Sequence, residues 1–119
     1  MKEYNLKHFA HIGDAVWELF IREIIIERFN TQKGLHQNTI KYVNANFQSF
    51  ALETILPDLT EEEKETVKRG RNLPLTAQKK NNQNIHRLAT AFEVLIGSLY
   101  LTNKPRLNEI FEIIGEKAL

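Results

Sequence analysis

The sequence predicts an all-α protein that consists of one domain, residues 1–119. Apolar residues recur at intervals of three and four along most of the chain, whereas the alternation typical of a β-strand is scarce. Three prolines and five glycines fall mostly between these periodic segments, as expected for helices joined by short turns. A chain of 119 residues can bury one hydrophobic core, and no linker divides it.

The first predicted helix, residues 9–29, is apolar on two sides. Its first stripe at helical spacing contains Phe9, Ile12, Val16, Leu19 and Phe20. Its second stripe contains Trp17, Ile21, Ile24 and Ile25. A helix of this kind is either central or packs on both its own core and a partner chain. In the second case, the second stripe is the candidate interface with the partner.

The other helices are predicted from the same periodicity and from their end signals. Residues 35–56 form a helical region that can break around residues 44–46, and Pro57 ends it. The next helix starts at Thr60, which forms a capping box with Glu63, and Gly70 closes or kinks it. A polar loop, residues 72–84, leads to helices over residues 85–101 and 105–117.

The composition excludes several classes of protein. The chain has no cysteine, which excludes a disulfide scaffold and thiolate metal sites such as a zinc finger. The N-terminal residues lack the apolar run of a signal peptide, and no stretch approaches the roughly 18 apolar residues of a membrane span. We therefore expect a cytoplasmic protein.

The positive charge is concentrated in one part of a nearly neutral chain. The net charge is +1, but residues 64–92 hold seven cations and a single acid, Glu65. Such a segment is a candidate surface for nucleic-acid phosphates. The alternative is a solvated loop that lysines keep soluble, and charge alone does not decide between the two.

Two carboxylates lie on apolar helices far apart in the sequence. Asp14 follows Gly13 in the first helix, and Glu93 precedes Gly97 in the helix over residues 85–101. A glycine inside a helix costs about 1 kcal/mol relative to alanine, which indicates a close approach of two backbones. That approach would bring the two carboxylates together, and a hard divalent cation such as Mg²⁺ would relieve their repulsion.

Simpler explanations exist for each carboxylate. Asp14 could pair with Arg22 or His11, or lie exposed, and Glu93 could pair with Arg87 or a lysine. Carboxylates on helices are usually solvated. The spacing of the residues does not choose among these arrangements.

Three segments together resemble the ribonuclease III family, and in particular its short Mini-III branch, which lacks a double-stranded-RNA-binding domain. They are Ile12-Gly13-Asp14-Ala15-Val16-Trp17-Glu18-Leu19, Arg69-Gly70-Arg71-Asn72, and the run from Ala89 to Leu101. The resemblance covers nearly the whole chain in order. It implies a helical endonuclease domain that cleaves double-stranded RNA as a homodimer, with maturation of ribosomal RNA (the 23S precursor) as its role.

The resemblance also implies roles for individual residues. Asp14 and Glu93 correspond to the metal-binding catalytic carboxylates, with Mg²⁺ as the cofactor and Mn²⁺ as a substitute. Binding of RNA would involve Arg69, Arg71, Asn72, Lys79, Lys80 and Arg87. Two further acids of the longer ribonuclease III pattern are missing, because Ala10 and Thr90 occupy their positions. Fewer anionic ligands imply weaker metal binding.

Two other functions fit parts of the pattern. Ala10 and Thr90 leave room for a non-catalytic module of the same fold that binds double-stranded RNA. The two apolar sides of the first helix would also suit a helical protein-interaction module. Cleavage of an RNA duplex only in the presence of a divalent ion would distinguish the enzyme from both of these alternatives.

Overall fold

Six α-helices account for most of the residues that the structure describes. The computed structural model describes residues 4–75 and 82–119, and within these ranges it contains no β-strand. The helices are α1 (Leu6–Ile25), α2 (Gln32–Val43), α3 (Ala45–Ile55), α4 (Glu61–Arg71), α5 (Gln83–Thr102) and α6 (Lys104–Lys117). A short 3-10 turn, Leu56–Asp58, separates α3 from α4. The predicted all-α class is therefore confirmed.

The ends of the helices follow their capping residues. The side chain of Asn44 accepts a hydrogen bond from the Phe47 N–H, which separates α2 from α3 where the sequence suggested a break. Thr60 and Glu63 form the predicted capping box at the start of α4. Helix α1 begins three residues earlier than predicted because Asn5 caps it, and α4 continues through Gly70 to Arg71.

Helix α5 is the centre of the fold, since α1, α3, α4 and α6 all pack against it. Trp17 of α1 and Phe92 of α5 are fully buried and meet edge to face, with ring centroids 5.0 Å apart. The Trp17 indole N–H donates to the Tyr42 carbonyl at 2.7 Å, so its polar group is satisfied inside the core. Helix α1 is thus fixed against α5 on one side and α2 on the other.

The prediction for the second stripe of α1 is wrong. Trp17, Ile21 and Ile25 are at most 2% exposed and belong to the core of the chain itself, so they are not available to a partner. Leu19 of the first stripe is instead 60% exposed, as is Ile26 at the end of α1. Both stripes are apolar, which is why the sequence did not show which of them faces the core.

A partly buried ion pair joins α4 to α6. The Arg106 guanidinium donates to both carboxylate oxygens of Glu63, at 2.8 and 2.9 Å, and also to the Asp58 carbonyl at 2.8 Å. These charge-assisted hydrogen bonds hold the pKa of Glu63 below its ordinary value, and Glu63 raises the pKa of Arg106. Glu63 therefore both caps α4 and fixes α6 against it.

Among the helices that the structure describes, none is both long and apolar enough to cross a membrane. The exposed apolar side chains are instead distributed over several helices, with Leu19 on α1, Ile40 on α2 and Phe50 on α3. Scattered residues of this kind are ordinary on protein surfaces.

Candidate active site

The backbones of α1 and α5 touch at Gly13 and Gly97. A Cβ atom on Gly13 would overlap the Glu93 carbonyl and lie 2.9 Å from the Gly97 nitrogen. A Cβ atom on Gly97 would overlap the Phe9 carbonyl and lie 2.9 Å from the Gly13 nitrogen. Only glycine fits at either position, so the close approach predicted from the sequence is confirmed.

This crossing determines where the backbones of the two carboxylate residues lie. Asp14 follows Gly13 directly, and the carbonyl of Glu93 is the group that Gly13 contacts. The two backbone segments that carry Asp14 and Glu93 are therefore neighbours, although 79 positions separate the residues in the sequence. Asp14 is exposed and Glu93 is half-buried.

Asp14 does not form the alternative pairs that the sequence allowed. Arg22 binds Glu18 instead, with its Nη2 3.0 Å from the Glu18 carboxylate. Within residues 4–75 and 82–119, neither His11 nor any other side chain forms a hydrogen bond or ion pair with Asp14. The Asp14 carboxylate is thus accessible to a ligand from solvent.

Glu93 lines a cavity of about 260 Å³ together with Ala10 and Thr90, the two positions at which the sequence lacks an expected acid. Its described lining consists of Lys7, Ala10, Leu73, Pro74, Leu75, Thr90 and Glu93. Ala10 and Thr90 therefore lie beside Glu93 and contribute a methyl group and a hydroxyl group where carboxylates would add negative charge. Among the described residues of this lining, Lys7 is the one cation. Sequence reasoning missed it because the α1 cap was not recognised.

The donor set here suits a hard cation that retains much of its water. No cluster of three or more histidine, aspartate or glutamate side chains occurs in the described part of the chain. An ion at this site would be held by Asp14 and Glu93, with water filling its remaining positions. Mg²⁺ accepts such a sparse set of oxygen ligands.

The predicted RNA-binding residues cluster at the end of α4, as far as the structure describes them. Arg69, Arg71 and Asn72 are exposed there, and the Asn72 N–H caps the helix. Arg87 of α5 donates from Nη1 to the carbonyls of Arg71 and Leu73, both at 3.3 Å. Arg87 thus ties the segment after α4 to α5. Lys79 and Lys80 lie outside the described residues.

Comparisons with known proteins agree with this architecture. The family model described as "Ribonuclease III domain" matches residues 7–104. The Mini-ribonuclease 3 of Clostridium tetani (strain Massachusetts / E88) is 42% identical over 118 residues, covering 96% of this chain and 78% of that protein. The Mini-ribonuclease 3 of Gloeobacter violaceus (strain ATCC 29082 / PCC 7421) is 35% identical and covers 98% and 86%.

The fold itself also has a solved counterpart. A crystal structure of a protein from Fusobacterium nucleatum superposes with a TM-score of 0.82 at 31% sequence identity, and the match covers 97% of this chain and 94% of that one. Sequence and structure thus agree over almost the whole length of the chain. The chain belongs to the ribonuclease III family, and within that family it is similar to the Mini-ribonucleases 3.

Proposed function

We propose that this ribonuclease III family endoribonuclease hydrolyses phosphodiester bonds of double-stranded RNA with a divalent metal ion held by Asp14 and Glu93. Mg²⁺ is the proposed ion, with Mn²⁺ as a substitute, and the products carry 5′-phosphate and 3′-hydroxyl ends. The observation that carries the proposal is the glycine crossing, because it makes neighbours of the backbone segments that bear the two carboxylates. The proposed biological role is maturation of ribosomal RNA, from the 23S precursor, in the cytoplasm.

The two carboxylates would hold the ion from different environments. Asp14 offers an exposed carboxylate, and Glu93 lines the adjacent cavity. When bound, the ion would polarise a phosphoryl oxygen and lower the pKa of a coordinated water. With Ala10 and Thr90 neutral, the protein supplies at most two negative ligands there, so we expect weak metal affinity that bound RNA phosphate strengthens.

Recognition of the duplex would depend on backbone contacts rather than on base sequence. Side chains read A-form RNA mainly through phosphates and 2′-hydroxyl groups. Arg69 and Arg71 are exposed residues at the end of α4, shortly before Leu73, which lines the cavity together with Glu93. Arg87 would contribute by fixing the segment after α4 through its two carbonyl contacts. Asn72, Lys79 and Lys80 complete the proposed RNA-binding set.

The proposed homodimer would use the outer side of α1, since the second stripe of that helix is buried in the chain. Leu19 and Ile26, both 60% exposed, are seven residues apart and so lie on the same side of α1. We expect Leu19→Glu to convert the dimer into monomers in light-scattering measurements. Ile40→Glu, at an exposed position of α2, is the matched control and is expected to leave the dimer intact.

The decisive experiment is incubation of an RNA duplex with Mg²⁺ or with a chelator. We expect cleavage only with the ion, and a loss of more than about a hundredfold in Asp14→Asn and Glu93→Gln, because each removes a proposed metal ligand. Glu116→Gln, at an exposed acid of α6, is the matched control and should cleave like the wild type. Wild-type cleavage in the presence of the chelator would refute the proposal.

A non-catalytic RNA-binding module is the second candidate, and the neutral residues at positions 10 and 90 favour it. It predicts duplex binding that weakens steeply with salt, and no cleavage with either Mg²⁺ or Mn²⁺.

A further inference from the structure

A second cavity lies next to the one that Glu93 lines. It has a volume of about 500 Å³, and its described lining consists of Tyr4, Asn5, Leu6, Lys7, Phe9, Arg69 and Leu73. Lys7 and Leu73 line both cavities. Lys7 therefore lies at the boundary between the Glu93 cavity and the cavity that Arg69 lines.

The chemistry of this second cavity suits a phosphodiester. None of the seven described lining residues is acidic, and two of them, Lys7 and Arg69, are cationic. In the described part of the chain neither cation forms an ion pair, even though Glu65 is spaced at i,i+4 from Arg69. A guanidinium binds phosphate in a fork-like geometry, and an ammonium adds a second, less directional charge.

The positive charge comes from these side chains rather than from the helix end. The Asn5 side-chain oxygen already accepts from the N–H groups of Lys7, at 2.9 Å, and of His8, at 3.1 Å. The His8 Nδ1 accepts from the Asn5 N–H in return, at 3.1 Å. This double cap fixes the first turn of α1 and therefore the position from which Lys7 reaches the cavity.

An aromatic side chain completes the wall. Tyr4 is 48% exposed, and its ring packs against His8 and Phe9 with centroid distances of 6.0 and 6.3 Å. A ring held on one side and open on the other offers an apolar surface for a ribose. The cavity thus combines an aromatic surface with two cations that form no ion pair with any described residue, at the edge of the candidate active site.

We propose that Lys7 and Arg69 bind the sugar-phosphate backbone of the RNA strand next to the bond that is cleaved. The inference rests on the proposed nuclease function and adds Lys7, in the N-terminal turn of α1, to Arg69 of the basic segment of residues 64–92. Lys7 contacts the phosphate nearest the Glu93 cavity, and Arg69 contacts the one beyond it. Tyr4 packs against the ribose between them.

The test measures duplex affinity as a function of salt, in the Asp14→Asn background so that the RNA stays intact. Each lost phosphate contact lowers the slope of log affinity against log salt by about one. We expect Lys7→Gln and Arg69→Gln each to weaken binding several-fold with such a change of slope, and the double variant to change the slope by about two. Lys7→Arg keeps the charge and should restore the slope.

Lys33→Gln is the matched control, because Lys33 is an exposed lysine of α2, away from both cavities. Equal salt slopes for Lys7→Gln and Lys33→Gln would overturn the inference. Thermal unfolding of each variant verifies that the fold is intact, as expected for exposed side chains. If the wild type cleaves the duplex but Lys7→Gln leaves the salt slope unchanged, only the proposed Lys7 site is refuted. If the wild type does not cleave, the nuclease proposal is refuted, and the salt slopes can still be measured.

Discussion

Two contacts join helices of this fold in opposite ways. Between α1 and α5, at Gly13 and Gly97, two backbones touch and no side chain lies between them. Between α4 and α6, the Glu63–Arg106 pair makes the connection through long side chains. A cavity of about 270 Å³ next to that pair is lined by Glu63, Arg106 and Thr102, among other residues, so this second contact has free space around it.

The difference concerns how much change each contact tolerates. A backbone contact cannot relax when an atom is added, because neither helix can move without loosening the core around it. A pair of flexible side chains with free space beside it can be replaced at moderate cost. The intolerant contact is also the one that carries Asp14 and Glu93, and a metal site requires its ligands to be held within a fraction of an ångström.

The largest effect is expected from Gly97→Ala or Gly13→Ala. Each new methyl group overlaps a carbonyl of the opposite helix, so α1 must move away from α5. We expect a loss of more than about 3 kcal/mol in the free energy of unfolding, measured by circular dichroism in urea. Protein that still folds should have lost RNA cleavage, since the carboxylates separate. Unchanged stability would show that the crossing is not as tight as described.

Gly70 provides an intermediate test of the same contact type. A methyl group there would lie 3.0 Å from the Ala91 Cα and 3.0 Å from the Val94 Cβ, which is tight without overlapping backbone oxygen. We expect Gly70→Ala to cost about 1 to 2 kcal/mol in the same urea titration. Gly115→Ala is the control, since nothing lies within 4 Å of that position, and it should stabilise the protein by about 0.5 to 1 kcal/mol.

Glu63→Gln tests the side-chain contact between α4 and α6. The change removes the charge that Arg106 binds but keeps the side-chain volume, so we expect a loss of about 2 kcal/mol. Activity of the folded variant should remain, because Glu63 does not line either cavity near Glu93. Loss of cleavage without loss of stability would contradict the expectation that the Glu63–Arg106 pair does not affect the active site.

The same pair predicts how stability depends on pH. Arg106 lowers the pKa of Glu63 from its ordinary value of 4.5 in the folded protein. The pair therefore contributes fully above that ordinary value, and its contribution disappears as the pH falls through the lowered pKa. Glu63→Gln should lose less stability than the wild type on acidification in this range. Parallel curves for the two proteins would rule out this role for Glu63.

The smallest effect is expected from Thr60→Ala. The Thr60 hydroxyl accepts from the Glu63 N–H at 3.1 Å and caps α4. Its removal should cost about 1 kcal/mol, seen as a lower midpoint in the urea titration. The Arg106 bond, which lowers the pKa of Glu63 most, remains in this variant, and the Thr60 hydroxyl is the smallest cause of the lowering, so the response to acid should stay close to that of the wild type. A different response would mean that the cap and the pair act as a unit.

Local signals in the sequence predicted most of the fold. Thr60 with Glu63 marked a helix start because capping acts over three residues. The possible break around residues 44–46 was also found, at the Asn44 cap. The two glycines predicted the crossing because each is costly in a helix without a close neighbour. These signals are read from residues near one another, and for that reason they were reliable here.

Apart from the glycine crossing, long-range contacts were not predictable in the same way. Arg106 lies 43 positions after Glu63, and nothing near either residue indicates the other. The two stripes of α1 are equally apolar, so the sequence did not show that Trp17, Ile21 and Ile25 face the core. The sequence around Lys7 does not indicate that Arg69 and Leu73 line the same cavity in the folded protein. Asp14 and Glu93 as metal ligands stay a prediction.

Because Trp17 is buried, its fluorescence can report on the contact between α1 and α5. It is the chain's single tryptophan, it is fully buried, and it lies three residues after Asp14 on α1. An indole in a rigid apolar site emits at shorter wavelength than one in water. Separation of α1 from α5 would therefore shift the fluorescence to the red, from one known position and without any label.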